Sequence, residues 1–510
     1  MGDRDKDNLG NASFSSAESP SITPERETAK ITAETQLPRW TILSVTTLSS
    51  FMAAVDTNIV TIALPKISES LSSGISLLGW VITGYILATA TFLLQSGKIG
   101  DKYGKKRVYL LGFAMFGLAS ALCGLSQNIT ELVAFRIFQG IGASFLTATT
   151  TPLIYESFPP KERGAAIGIN SIAWSVGAIA GPVVGGLIVI LDWRLIFYIN
   201  VPIAFAAVAI GSKRIPSRRK APAEIEKESG RGGINVVSSA LLALAVAMIL
   251  LWLTFFDARF AIIGAISLVA LVVNESRTRK PLLDLELRKN VGYISSTVGL
   301  VILQIALLGI PFVMSFYFQT VQGYSPLIAG ASIAPLPIAL ALASPLAGRL
   351  FDKMKVSAIL SIAGAILGAL AIIGLSGVVG AQGPPLYIDL FLVLIGIANA
   401  FVWTPTISMI LKFAKPELRG VANGTAFMLI NIGFAASIAI VVAVSASFLP
   451  ASVVSEIYLG NLGNLTASQA ILFNEGIAKA LLTLGIIDLL GTPFLLVALR
   501  QQRKSSSSAQ

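Results

Sequence analysis

Histidine is absent from the 510 residues, and cysteine occurs once, at Cys123. No disulfide can form within the chain, no cysteine cluster can hold a metal, and the commonest metal ligand and proton shuttle is missing. Any group that titrates near neutral pH must therefore be a carboxyl group. Charge is also scarce: Asp, Glu, Lys and Arg make up 13% of the chain, against about 25% in soluble domains. With a mean hydropathy of +0.77, there is too little polar side chain to clothe a water-soluble globule of this size. No G-x-x-x-x-G-K-[ST], H-E-x-x-H or G-x-S-x-G sequence occurs, which argues against ATP drive and against hydrolase chemistry. No enzymatic activity, metal site or cofactor is expected.

What is present is a series of long apolar runs. Residues 1–39 are rich in Ser, Thr, Asp and Glu, and acids (Asp3, Asp5, Asp7) stand where a signal peptide carries bases, so this segment reads as a disordered tail. Fourteen stretches follow, at 40–64, 77–96, 108–126, 129–151, 165–190, 195–211, 234–256, 260–274, 291–319, 327–347, 356–379, 387–411, 420–447 and 477–499. Most have the length a helix needs to cross ~30 Å of hydrocarbon. None shows the alternation of a barrel strand. The expectation is an all-α polytopic membrane protein with 14 transmembrane helices.

Basic residues alternate from loop to loop. Of the 38 Lys and Arg, 33 fall in the two tails and every second loop, and the other side holds only Lys66, Arg194, Arg259 and Lys479. Since bases accumulate on the cytoplasmic face, both termini are expected inside. The net charge of +11 is then a product of topology, and no nucleic acid is needed to explain it.

Two short matches point to a duplication. GKIGDK (Gly97 to Lys102) after span 2 recurs as GRLFDK (Gly348 to Lys353) after span 10, and RGAAIG (Arg163 to Gly168) recurs as RGVANG (Arg419 to Gly424). Both pairs occupy equivalent loops at nearly one offset. The chain thus divides into a tail (1–39), a six-helix half (40–211), a linker with inserted spans 7 and 8 (212–290), a second six-helix half (291–499) and a short tail (500–510). Parallel halves of this kind enclose a substrate path near the midplane.

Charges inside spans are few and costly. Asp56 in span 1 and Arg136 in span 4 lie at matching depth, roughly 10–12 Å from the outer face by helical rise. They are expected to pair, with the acid reachable from an aqueous cleft. Asp488 lies near the middle of span 14 with no base at its level, and reads equally as a second titrating acid or as a neutral group bonded to a neighbouring helix. Gly177, Gly181 and Gly185 recur every four residues and share one helix face, with Pro182 and Gly186 beside them. In the loop Gly97 to Arg107, the recurrence of Gly97 and Asp101 in the second half suggests a gating role, in company with Gly104, Lys105 and Arg107. Tyr85, Trp174, Gln319, Trp403 and Asn431 are candidates for lining a cavity.

With DTNIVTIALP at Asp56 to Pro65, GKIGDKYGKKR at Gly97 to Arg107, FRIFQGIGA at Phe135 to Ala143, GAIAGPVVGG at Gly177 to Gly186 and DWRLIFYINVP at Asp192 to Pro202, the chain resembles the major facilitator superfamily, and within it the fourteen-span drug:proton antiporters. The resemblance covers most of residues 40–499. It implies a major facilitator fold, with Asp56 in proton coupling, Arg136 as the intramembrane arginine of span 4, Asp101 gating from the loop, and the face around Gly181 and Pro182 as an antiporter signature. Spans 10 and 13 contain no acid, unlike members that export divalent cations, and Asp488 is a candidate to compensate. The resemblance further implies a monomer in the plasma membrane that exports small amphiphilic or hydrophobic compounds in exchange for protons. An importer or uniporter, and a non-transporting membrane sensor on the same scaffold, remain as alternatives.

Overall fold

The computed structural model describes residues 24–71, 75–215, 235–255, 257–278, 285–324, 326–354, 358–447 and 467–507, with side chains from Arg39 onward except at some helix positions such as 75–79, 182–183 and 253–255. Among the described residues there is no strand. Helices α1 (Pro24–Leu71), α2 (Ile75–Tyr103), α3 (Lys105–Leu125), α4 (Ile129–Ser157), α5 (Arg163–Val189), α6 (Leu195–Tyr198) and α7 (Asn200–Arg214) make the first half. α8 (Val236–Phe255) and α9 (Ala258–Arg277) are the inserted hairpin, and α10 (Leu285–Lys289) follows it. The second half comprises α11 (Val291–Leu308), α12 (Ile310–Phe316), α13 (Pro326–Ile333), α14 (Pro335–Lys353), α15 (Ala358–Gly380), α16 (Pro385–Phe413), α17 (Arg419–Ala446) and α18 (Ala467–Ser507).

Among the described residues, thirteen of the expected spans are long and apolar enough to cross a membrane, and the short eighth one, α9, is one of them. The seventh, in α8, has a shorter apolar stretch over Val236–Trp252. Three spans are interrupted where proline removes a backbone donor. Span 9 breaks at Gly309 before Pro311 and ends in a π turn at Tyr317–Val321, span 10 breaks at Ala334 before Pro335, and span 6 breaks at Ile199 before Pro202. The expectation of a disordered tail over 1–39 needs correcting for its second part, because α1 begins at Pro24. Proline suits the first helical position, and the Glu, Arg, Lys, Ala and Gln residues that follow are strong helix formers even without an apolar stripe. Residues 1–23 lie outside the described residues. The end of the chain is helical to Ser507.

The duplication is visible in the packing. In the first half α1 packs on α4 and α5, α2 on α4, and α3 on α4 and α7; in the second, α11 packs on α16 and α17, α14 on α16, and α15 on α16 and α18. Shifting each span by eight converts one set into the other. The halves meet through α2 against α17 and α5 against α14, a pair of crossings related by the same shift. Apolar side chains on α9 such as Ile266, Val269 and Val272 are about two-thirds exposed, as a surface facing hydrocarbon is.

Candidate functional site

Asp56 is fully enclosed by the first half. Its Oδ2 accepts from Arg136 Nη1 at 2.6 Å, and its Oδ1 accepts from Gln139 Nε2 at 2.9 Å and Asn200 Nδ2 at 3.0 Å. Arg136 donates also to Gln139 Oε1 (2.6 Å) and, through Nε, to the Val81 carbonyl (3.0 Å). Gln139 donates to Ser120 Oγ at 2.7 Å. The guanidinium lies over the Tyr85 ring at 4.2 Å. Five spans thus converge on one ion pair. Burying two charges costs several kcal/mol per ion, which their mutual attraction offsets only with added hydrogen bonds; here Val81, Gln139 and Asn200 supply them. Helical spacing supplies the arrangement, since Arg136 and Gln139 are three apart on α4 and share a face.

Two expectations change at this site. The carboxylate has no exposed surface, so in this conformation it does not face an aqueous cleft. Tyr85 is buried against the guanidinium, not set along open space, because a cation over an aromatic face is attracted to it. Gln139 and Asn200 were missed as partners, although both stand inside quoted motifs and the three-residue spacing from Arg136 marks Gln139.

The glycine face of α5 packs on α1 around Asp56. A Cβ at Gly177 would lie 2.7 Å from the Phe51 carbonyl oxygen, and one at Gly181 would lie 2.9 Å from Asn58 Cβ. Only glycine lets the backbones come this close. Gly185 meets Ile59 in the same way, whereas Gly186 has open space around it. Pro182 falls within α5, with its side chain outside the described residues.

At the end of the bundle that carries the basic loops, the repeated motifs dock on each other. Asp101, near the end of α2, accepts from the backbone N–H of Gly420 (2.9 Å) and Val421 (2.8 Å) at the start of α17. Asp352, near the end of α14, accepts from the N–H of Gly164 (2.8 Å) and Ala165 (3.0 Å) at the start of α5. In both cases the acid takes the second and third residues of a helix whose first is an arginine. Those N–H groups have no partner within the helix, and the positive end of the helix dipole favours the carboxylate. Gly97 and Gly348 cross Gly420 and Gly164 backbone to backbone. Gly104, at φ +97°, makes the turn into α3, which sets Lys105 Nζ 2.8 Å from Asp101 and 3.1 Å from Glu156. Arg107 is exposed. Asn423 adds bonds from α17 to the carbonyls of Thr147 and Ala148 at 3.1 Å.

Asp488 is likewise fully buried, and no hydrogen bond reaches either oxygen. It faces Gly368 of α15, where an added Cβ would lie 3.1 Å from Oδ2. The remaining candidates do not form one cluster. Trp403 packs edge-on against Phe427 at 5.6 Å, and Asn431 donates to the Phe427 carbonyl at 2.8 Å, which brings those two together. Gln319 bonds to Ser315, and Trp174 is 47% exposed on α5.

The family model for the Major Facilitator Superfamily matches residues 46–438. The riboflavin transporter RibZ of Clostridioides difficile (strain 630) is 30% identical over 401 residues, 78% of this chain and 86% of that protein. The tetracenomycin C resistance and export protein of Streptomyces glaucescens is 30% identical over 399 residues, 77% of this chain and 73% of that protein. Among solved structures, the human organic anion transporter MFSD10 superposes with a TM-score of 0.64 at 16% identity, over 90% of this chain and all of that one.

Proposed function

The chain belongs to the major facilitator superfamily, a family of transporters, and from that premise we propose that it is a secondary active exporter working by alternating access in the plasma membrane. In this reading it exchanges inward-moving protons for small amphiphilic or hydrophobic compounds. The observation that carries it is the pair of equivalent carboxylate clasps at the basic end. Each clasp joins the halves through one carboxylate and two backbone amides, a contact able to form and break as a unit, which is what rocking of the halves requires. The basic end is the cytoplasmic one in this reading, with both termini inside.

Asp56 is the coupling residue. A proton on it would cancel the charge that Arg136, Gln139 and Asn200 hold, and so loosen spans 1, 4 and 6 from one another. Because the carboxylate is sealed in this conformation, proton entry belongs to another state of the cycle. The driving force is adequate: one charge falling through 100 mV releases about 2.3 kcal/mol, and a tenfold gradient costs about 1.4 kcal/mol. Asp488 is a second mid-membrane carboxyl that this reading tests separately.

The absence of acids on spans 10 and 13 favours neutral or singly charged substrates, and the similarity to an antibiotic export protein supports export. The similarity to a riboflavin transporter favours a second reading, carriage of a planar metabolite. Inverted vesicles under an imposed pH gradient separate the two. Accumulation of amphiphilic dyes or antibiotics that collapses with the gradient supports the first reading; accumulation of riboflavin alone supports the second. Flux indifferent to the gradient overturns proton coupling.

A further inference from the structure

The two clasps are alike, but their surroundings are not. Of the described inserted segment, α8 packs against α2 and α17, the crossing closed by Asp101, while the α5 and α14 crossing closed by Asp352 is made by the two halves themselves. Leu242 and Val246 of α8 share an apolar cluster with Leu93 and Leu94 of α2 and Val421 and Ala422 of α17.

Polar ties complete a ring around that one crossing. Gln95 Nε2 on α2 donates to the Ser239 carbonyl of α8 at 3.1 Å. The feet of the hairpin are joined by Asn274 Nδ2 to Ser238 Oγ (2.7 Å) and Asn235 Nδ2 to Thr278 Oγ1 (3.0 Å). Glu275 of α9 pairs with Arg288 of α10, and Glu286 of α10 accepts from Lys415 at 2.8 Å, just ahead of α17. Followed from α2 through the hairpin to α17, every step is a named contact. The insertion therefore holds one half at its first tie and the other half at its last.

We propose that the inserted hairpin is a strap that keeps the α2 and α17 edge together, so that the basic end opens at the α5 and α14 edge. The proposal rests on the alternating-access reading but not on protons or on any substrate. A hinge at one edge lets the basic end open by swinging, with one clasp released and the other retained. A pair of clasps without the strap would let both edges part alike.

Distances between spin labels in the purified full-length protein in lipid nanodiscs, without substrate or pH gradient, test this. The native cysteine, Cys123, is buried, so labels go to exposed positions by Lys102→Cys with Glu417→Cys across the strapped edge, and Lys161→Cys with Lys353→Cys across the free one. Asp352→Asn is expected to widen the free-edge pair by more than ~5 Å, about one helical pitch. Asp101→Asn is expected to leave the strapped pair in place until Gln95→Leu and Glu275→Gln are added, and then to release it. Equal widening at both edges with the strap intact, no widening at either, or a strapped pair that stays closed after the strap is cut overturns the proposal. Should the cut variant not fold, Glu286→Lys and Lys415→Glu, each releasing the edge in the Asp101→Asn background and restoring it when combined, decide the same question. A molecule that fails to couple protons would still pass or fail these measurements on its own.

Discussion

Asp101 and Asp352 stand 251 residues apart and do the same thing: each carboxylate bridges the second and third backbone N–H of a helix in the opposite half, at 2.8–3.0 Å. The glycines beside them bring the backbones into contact, so closure of the basic end is a backbone affair sealed by two acids. Hydrogen bonds to a charged group contribute about 1.5–3 kcal/mol each, enough for each clasp to bias the conformational equilibrium strongly.

Steric filling of the crossing tests this. Gly348→Val places methyl groups against the Gly164 backbone, which cannot withdraw. The expected result is a folded protein unable to close its basic end, with transport reduced at least about tenfold, the equivalent of 1.4 kcal/mol. Increased labelling of cysteines placed on α14 and α5 at that end, in purified protein, provides the check. Normal transport would mean the crossing is not obligatory.

The ion pair makes a three-variant prediction. Arg136→Gln leaves Asp56 as an unpaired buried charge and should destabilise the protein by about 3–5 kcal/mol. Asp56→Asn leaves the Arg136 guanidinium unpaired in turn and should lose stability to a similar extent, and it should also lose the response of efflux to pH. Combining the two should recover thermal stability without recovering coupling. Unfolding temperature in detergent separates the stability effect from the transport effect, and pH-driven efflux that persists in Asp56→Asn rules the residue out.

Asp488 should behave differently. No hydrogen bond reaches either oxygen, and asparagine has almost its shape, so Asp488→Asn is expected to keep pH-driven flux within about twofold, under 1 kcal/mol. Loss of the pH response in this variant would transfer coupling to span 14.

The glycine-proline motif of α5 contains its own control. Gly181→Val should overpack the contact with Asn58 and Val55, at a cost of about 1–3 kcal/mol, and disturb α1 next to Asp56. Gly186→Ala has open space around it and should be silent in both stability and flux. Equal effects from the two would show that the motif works through something other than the α1 contact.

The sequence made the spans legible because a run of apolar residues long enough for a bilayer is a composition signal, independent of packing. It did not reveal the helical start of α1 between Pro24 and Pro38, whose charged helix formers lack an apolar face. The depth match of Asp56 and Arg136 foretold their pairing, whereas Asn200 joins them across 144 residues of chain, a distance no local pattern encodes. The repeated loops were readable as repeats. That each docks on the other kind of repeat in the opposite half follows only from how the helices cross. Likewise, glycine spacing on α5 defined a face but not that α1 would occupy it.

In both clasps the donors are main-chain amides. No side-chain replacement at Gly420, Val421, Gly164 or Ala165 can delete them, proline excepted, although bulk at the two glycines would push them away. The receiving loops are in this respect shielded from mutational drift, and heritable tuning of the gate must act through two acids and a handful of small residues. A random library scored for gating should accordingly yield few, sharply localised hits.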